Sequence, residues 1–300
     1  MKNQLAVSSF SLRDLLGPIH LQMRGPDGKK APVSFGDRPV TLPLLNLAGE
    51  VKRRTGIAAL EICQFHVANG GDGYLHQLKG ALAAEGVTVV NMPIDVGNIS
   101  AGNAEHREED LAEIEGWIRF ASRLGSPMVR VNASSFRATD LAPLDVTIAS
   151  FRRLGQFARA HGAQLTIENH GGITDDFNVI VQIVHGVGDG LLKTCVDLAN
   201  HPAIAPASSV SFTRKAPPAT LDAGPLYRDL PLIARHAAIV HAKNPPPLAD
   251  GSPAFDGERA LSIVRDAGFA GPISLELGTI VGDPWDVLAR QRALVEKVFA

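Results

Sequence analysis

The sequence predicts a single-domain α/β protein, a (β/α)8 or TIM barrel spanning residues 1–300, on three observations. Short apolar runs recur eight times with amphipathic segments between them, the pattern of a parallel sheet covered by helices. At 300 residues the chain matches barrels of this class, which commonly take about 250 residues as one domain. No low-complexity tract, strict repeat or linker divides it.

Taken in order, the first strand is LAVSSF (5–10), followed by a long Pro-, Gly- and Ser-rich connection over 13–40 and a helical stripe through 41–54. The second and third strands are AALEIC (58–63) and VTVVNM (87–92), separated by a stripe through 75–85. Helical periodicity is clearest in 108–125, where Leu111, Ile114, Trp117, Ile118, Ala121 and Leu124 recur at three- and four-residue spacings before Gly125 stops the helix. MVRVNA (128–133) is the fourth strand. Ile148, Phe151, Leu154 and Phe157 mark the next helix, closed by His161 and Gly162. QLTIEN (164–169) and LKTCVD (192–197) follow, then a second long connection over 201–226, AAIVHA (237–242), a stripe through 257–267, PISLEL (272–277) and a final stripe through 285–299. Loops as long as 13–40 and 201–226 usually cover a site or are partly disordered; as lids they would shield the site from water.

Hydrophobic types make up 45% of the chain and charged types 20%, and the formal net charge is −2, with no block of like charge. Nothing in that distribution attracts nucleic acid or anionic lipid, so a small-molecule partner is expected. Cys63 and Cys195 are too few for a disulfide framework, and each lies in an apolar run, where a buried free thiol is the expectation. No stretch approaches the roughly 18 apolar residues of a membrane span, and the first residues lack a signal-like apolar region; a cytoplasmic enzyme is expected.

Chemistry enters through a conflict: four of the apolar strands end in an ionisable residue, Glu168, Asp197, His241 and Glu276. A carboxylate at the end of a buried strand costs several kcal/mol unless a cation or hydrogen bonds compensate it. In a parallel barrel all strand C-termini face one rim, so four such residues suggest a shared cation there. Three carboxylates and one imidazole suit one divalent ion, Mn2+ best, with Mg2+, Co2+ or Zn2+ as alternatives. Strand alternation puts His170 beside Glu168, Lys243 beside His241 and Asn132 beside Arg130, all toward the same mouth. Glu61 and His66, at and beyond the second strand, are further candidates. Each also has an ordinary reading: an ion pair to a neighbouring strand for Glu61, a solvated loop for His66.

These residues, in the order SSFSLR, LEICQFHV, RLGSPMVRV, TIENHGG, VDLANH, IVHAKN and GFAGPISLELG, resemble the xylose isomerase-like barrel superfamily over nearly the whole chain, in particular its sugar isomerase and epimerase branch. The resemblance implies that Glu168, Asp197, His241 and Glu276 are metal ligands and that Glu168 and Glu276 are also the acid/base pair. Position at the same mouth makes His170, Lys243, Arg130 and His66 candidates for substrate contact, with Asn200 and His201 beside them in the loop after Asp197. The chain departs from the family pattern at Asn200, where a His is common and here comes one place later as His201, and at Asn244, where an Asp is common after the Lys. The second-metal Asp-x-Asp set of true xylose isomerases is absent, which favours proton over hydride transfer.

The function expected is therefore a divalent-metal-dependent sugar isomerase or epimerase, acting through an enediolate on a ketose or related carbonyl compound. The alternatives are an inosose dehydratase-like lyase using the same site and a non-catalytic carbohydrate-binding barrel. A homo-oligomer would follow if exposed apolar helices pair. A DNA-repair nuclease of the same fold would need a His-rich multi-zinc cluster and a basic face, and neither is present in the sequence.

Overall fold

Valine, isoleucine and leucine fill the eight apolar runs, as a sheet buried on both faces requires. In the computed structural model, which describes every residue except 1, 26, 37, 68, 69, 135–139, 211–214 and 279–281, all eight are strands. They are β1 (Leu5–Ser8), β4 (Ala59–Glu61), β5 (Thr88–Ile94), β6 (Met128–Val131), β7 (Gln164–Glu168), β8 (Leu192–Asp197), β9 (Ala237–Asn244) and β10 (Ile273–Leu277). Every neighbour pairs in parallel, and β1 joins both β4 and β10, closing the ring in the order β1-β10-β9-β8-β7-β6-β5-β4.

Among the described residues eight helices of nine residues or more cover the outside: α1 (Leu47–Thr55), α2 (Asp72–Glu85), α3 (Ala104–Leu124), α4 (Leu144–Ala160), α5 (Phe177–Val187), α6 (Gly224–Ala234), α7 (Gly257–Asp266) and α8 (Pro284–Phe299). Local chemistry sets their ends. Asn103, Asp176, Asp256 and Asp283 each accept a backbone N–H of the first turn with the side chain, and Pro284 occupies a position whose N–H would have no partner. Gly125 ends α3 at φ +98°, donating its N–H to Ala121 and Ser122, a conformation that costs a residue with a Cβ.

Alternation along the strands separates two cores. Val7, Leu60, Val129, Ile167, Val196, Val240 and Leu275 pack outward against the helices. Inside the ring, Ala6, Ala59, Val90, Met128, Cys195 and Ile239 form a small apolar plug. The next inward residues toward the strand C-termini are polar: Glu61, Arg130, Glu168, Asp197, His241 and Glu276, all buried.

The structure corrects the reading of residues 13–40 as irregular. A helical turn at Arg13–Leu16 leads into an antiparallel hairpin, β2 (Ile19–Arg24) paired with β3 (Lys30–Phe35). The alternation Ile19, Leu21, Met23 against His20, Gln22, Arg24 was present in the sequence, masked by the Pro and Gly content and by Pro32 within the second strand. The hairpin tip docks on α3: Arg24 and Lys30 pair with buried Asp110 at 2.9 and 2.8 Å, and Asp110 also accepts the Asn98 backbone N–H. In 201–226 a helical turn spans Ala205–Ser208 and α6 already begins at Gly224, while 211–214 lie outside the described residues. Helix α5 was not anticipated, although Phe177, Ile180, Ile183, Val184 and Val187 recur at three- and four-residue spacings and form its buried face. No described helix is long and apolar enough to cross a membrane.

Candidate metal centre and active site

Parallel register decides which side chains share the rim. Asp197 lies level with His241, Ser274 with His241 from the other side, and Glu276 with Lys243. The sequence-predicted four thus sit on the contiguous strands β7, β8, β9 and β10 and point inward.

His241 is the centre. Its Nδ1 faces Glu276 Oε2 at 3.2 Å, Glu168 Oε1 at 3.5 Å and Asp197 Oδ2 at 3.8 Å, yet this buried nitrogen makes no hydrogen bond. Its Nε2 is 2.9 Å from Glu61 Oε2 and 3.3 Å from Cys195 Sγ. A buried nitrogen with three carboxylates around it and no partner is what a cation-binding cradle leaves when its atoms alone are considered. Among the described residues the groupings tight enough for one ion are Glu168, Cys195 and His241, and Glu61, His241 and Glu276, with Asp197 in neither. Oxygen donors with one imidazole fit a hard or borderline divalent ion, so the donor chemistry and the orphaned nitrogen agree.

Charge points the same way. Among the described residues Glu61, Asp95, Glu168, Asp197 and Glu276 gather around Arg130 and Lys243, so carboxylates outnumber the permanent cations paired with them. Burial pushes the His241 pKa down, but Cys195, Glu61, Glu276 and Glu168 outweigh it and hold it well above the usual range. Burial likewise raises Glu168, and Arg130, His170 and His241 overcome that to hold it well below the ordinary carboxylate value. Burial pushes the Cys195 thiol up to about 12, so it stays protonated, and Cys63 moves in the same direction. Both are free and buried, as expected.

The residues proposed for substrate divide into two groups. Lys243 reaches Asp197 Oδ2 at 2.9 Å and Glu276 Oε1 at 2.8 Å, and Asn200 bridges, donating to Glu168 Oε1 at 3.0 Å and accepting from Lys243 at 3.2 Å. Both belong to the carboxylate cluster. Arg130 is buried between Asp95 (2.6 Å) and Glu168 (2.8 Å), the latter contact too misaligned for a hydrogen bond. His170 contributes charge that lowers Glu168, and its backbone N–H donates to Thr174. His66 sits over Ser9, Nδ1 to Oγ at 2.9 Å, leaving Nε2 buried without a partner.

His201 is not brought to the cluster: Nδ1 accepts the Ala203 N–H, Nε2 lies 3.3 Å from Asp229, and the ring stands edge-on to Phe177. It braces the loop after β8. Glu61 pairs with His241, where an Arg or Lys partner had been the ordinary expectation.

Three participants were missed. Asp95 clamps Arg130 and accepts from Asn132 at 3.0 Å; it follows a strand two residues longer than anticipated, and the rule that found the other four would have found it. Asn91 donates to Glu61 at 2.9 Å. Arg13 donates to the carbonyls of Phe10, Leu277 and Gly278, tying the start of the barrel to its end. Gly278 is required there, since a Cβ would stand 2.7 Å from the Asn244 carbonyl. A depression of about 460 Å3 near His185, Lys193 and His236 lies at the opposite, N-terminal end of β8 and β9, away from this chemistry.

Fold and rim together define an α/β barrel with a buried carboxylate–imidazole centre at its C-terminal face. The chain belongs to the xylose isomerase-like TIM barrel family, whose model matches residues 51–294. No curated protein matches it in sequence. Among solved structures it is similar to a xylose isomerase-like TIM barrel protein from Mycobacterium smegmatis in complex with magnesium, at 17% identity and TM-score 0.63, covering 98% of this chain and 96% of that one. It is similar to an L-ribulose 3-epimerase at 14% identity and TM-score 0.64, covering 99% and 96%. A D-psicose 3-epimerase with D-tagatose from Clostridium cellulolyticum H10 matches at 14% identity and TM-score 0.63, covering 85% and 92%. At these identities the likeness shows the fold.

Proposed function

We propose that this chain is a divalent-metal-dependent sugar isomerase or epimerase that moves a proton at a carbon next to a carbonyl. The observation that carries the reading is the convergence of Glu168, Asp197 and Glu276 on the unpartnered Nδ1 of His241. Those four residues would hold the ion, with Mn2+ the best match and Mg2+, Co2+ or Zn2+ as alternatives. The magnesium in the Mycobacterium smegmatis protein and the names of the two epimerases support the same class.

A bound ion supplies Lewis acidity, raising the acidity of the carbon next to the carbonyl. The remaining work falls to the side chains. Glu168, kept ionised by Arg130, takes the proton, and Glu276 returns one; reversing those roles serves the reverse reaction. Arg130, itself anchored by Asp95, fixes the direction of the Glu168 carboxylate. Lys243 and Asn200 hold Asp197, Glu276 and Glu168 together against their mutual repulsion. His66, with a buried ring nitrogen to satisfy, orients a sugar hydroxyl.

The test is proton–deuterium exchange at sugar carbons in D2O with added Mn2+, over ketoses, inososes and hydroxypyruvate. Deuterium in recovered or isomerised sugar supports the reading. Loss of water with a new enone absorbance assigns a dehydratase, and a bound ion with no exchange on any substrate defeats the proton-transfer reading.

A further inference from the structure

Glu61 is a fully buried carboxylate that the proton transfer does not use. It ends β4, three strands round the ring from Glu168 on β7, and among the described residues no Lys or Arg pairs with it. Its Oε2 meets His241 Nε2 and Asn91 Nδ2, each at 2.9 Å, and its Oε1 lies 3.4 Å from Ser274 Oγ. Strong donors are what a buried carboxylate needs, and the imidazole N–H is the strongest one available here.

That contact has a consequence for the other side of the ring. A neutral imidazole has one N–H and one lone pair. If the N–H is on Nε2, facing Glu61, the lone pair is on Nδ1, facing Glu168, Asp197 and Glu276. Turning the ring over would place carbon atoms against both Glu61 and the three carboxylates. Cys195 Sγ lies 3.3 Å from the same Nε2, but neutral sulfur is the weaker acceptor.

Resting on the metal-centre reading above, we infer that Glu61 is a positioning residue: it fixes the tautomer and ring orientation of His241 and so sets the affinity of the centre for its ion. Asn91 and Ser274 in turn fix Glu61. Partners of this kind behind a ligating histidine typically change metal affinity 10–100-fold.

The experiment uses the full chain and Mn2+, with free ion read by electron paramagnetic resonance at one pH. Glu61→Ala is expected to bind Mn2+ roughly 10–100-fold more weakly. Glu61→Gln, which keeps an acceptor for the Nε2–H, is expected to recover most of that loss, which mere filling of space by a side chain would not distinguish from other residues; Glu61→Leu, matched in bulk, is expected to stay weak. The spectroscopic signature is 15N NMR of histidine in the Mg2+-loaded wild type, with His241 protonated at Nε2 alone. An Nδ1–H tautomer there overturns the inference without any variant, which matters if Glu61→Ala fails to fold. Wild-type affinity in Glu61→Ala, or loss in Cys195→Ala in its place, overturns it as well. A wild-type chain that binds no Mn2+ removes the metal centre itself, an outcome distinct from these.

Discussion

The two ends of the barrel interior are built on opposite terms. Toward the strand N-termini, Ala6, Ala59, Val90, Met128, Cys195 and Ile239 form a plug with no charged group. One layer higher, β4, β6, β7, β8, β9 and β10 present Glu61, Arg130, Glu168, Asp197, His241 and Glu276, and nearby Gln64, His66, Asn91 and Asn132 each keep a buried polar atom without a partner. Folded proteins pair nearly all such atoms, so their concentration at one end marks where ligand and water complete the hydrogen bonding. The lower end supplies stability, while the upper end gives some of it up to hold unsatisfied groups in place.

The largest effect that can break this contrast is at the upper end. Glu168→Gln or Glu276→Gln should lower the deuterium-exchange rate by about 10²–10⁴-fold with little change in thermal unfolding of the ion-free chain, measured on the same preparations. Equal losses of stability and exchange would mean the glutamates are structural. At the lower end Met128→Ala should cost about 2–5 kcal/mol in denaturant unfolding and leave Mn2+ affinity unchanged.

Ion removal sharpens the contrast next. An ion at 100 times its dissociation constant should stabilise the fold by about 2.7 kcal/mol, so a chelator should lower Tm in the wild type and not in Asp197→Asn where affinity is lost. A chelator without effect on the wild type would speak against the centre.

A smaller effect comes from His66. Burial, then Arg13, lowers its pKa from 6.5 to about 3. Between those values the unfolded chain takes up a proton that the folded chain refuses, so this contribution is fully present above pH 6.5 and is lost as pH falls toward 3. His66→Gln should flatten that part of the stability profile, measured by urea unfolding at a series of pH values. The smallest effect belongs to the outer surface: Arg153, exposed and paired with Glu108 and Glu115, should change stability by less than about 1 kcal/mol when replaced by Ala.

Most of the barrel was legible because each strand repeats one pattern, an apolar run closed by a helix signal. The convergence of Glu168, Asp197, His241 and Glu276 at one rim was legible because an ionisable group at the end of such a run conflicts with its surroundings. What stayed hidden depends on distance across the ring. Nothing local in LEICQF tells that Glu61 will meet a histidine 180 positions away, and His201, next to Asn200 in sequence, faces Asp229 because the turn after β8 rotates it out of the cluster. The hairpin escaped because its tip is held by Asp110, a partner from α3 that a local pattern cannot reveal.

The seam between β1 and β10, stitched by Arg13 to Leu277 and Gly278, has a consequence for assembly. Glu276 arrives on the last ring strand in chain order, and that strand is also the one that shuts the ring between β1 and β9. A growing polypeptide can therefore gather Glu168, Asp197 and His241, but the proposed ion site gains its fourth side chain only when the cylinder closes, so maturation of the cluster and completion of the fold are one event.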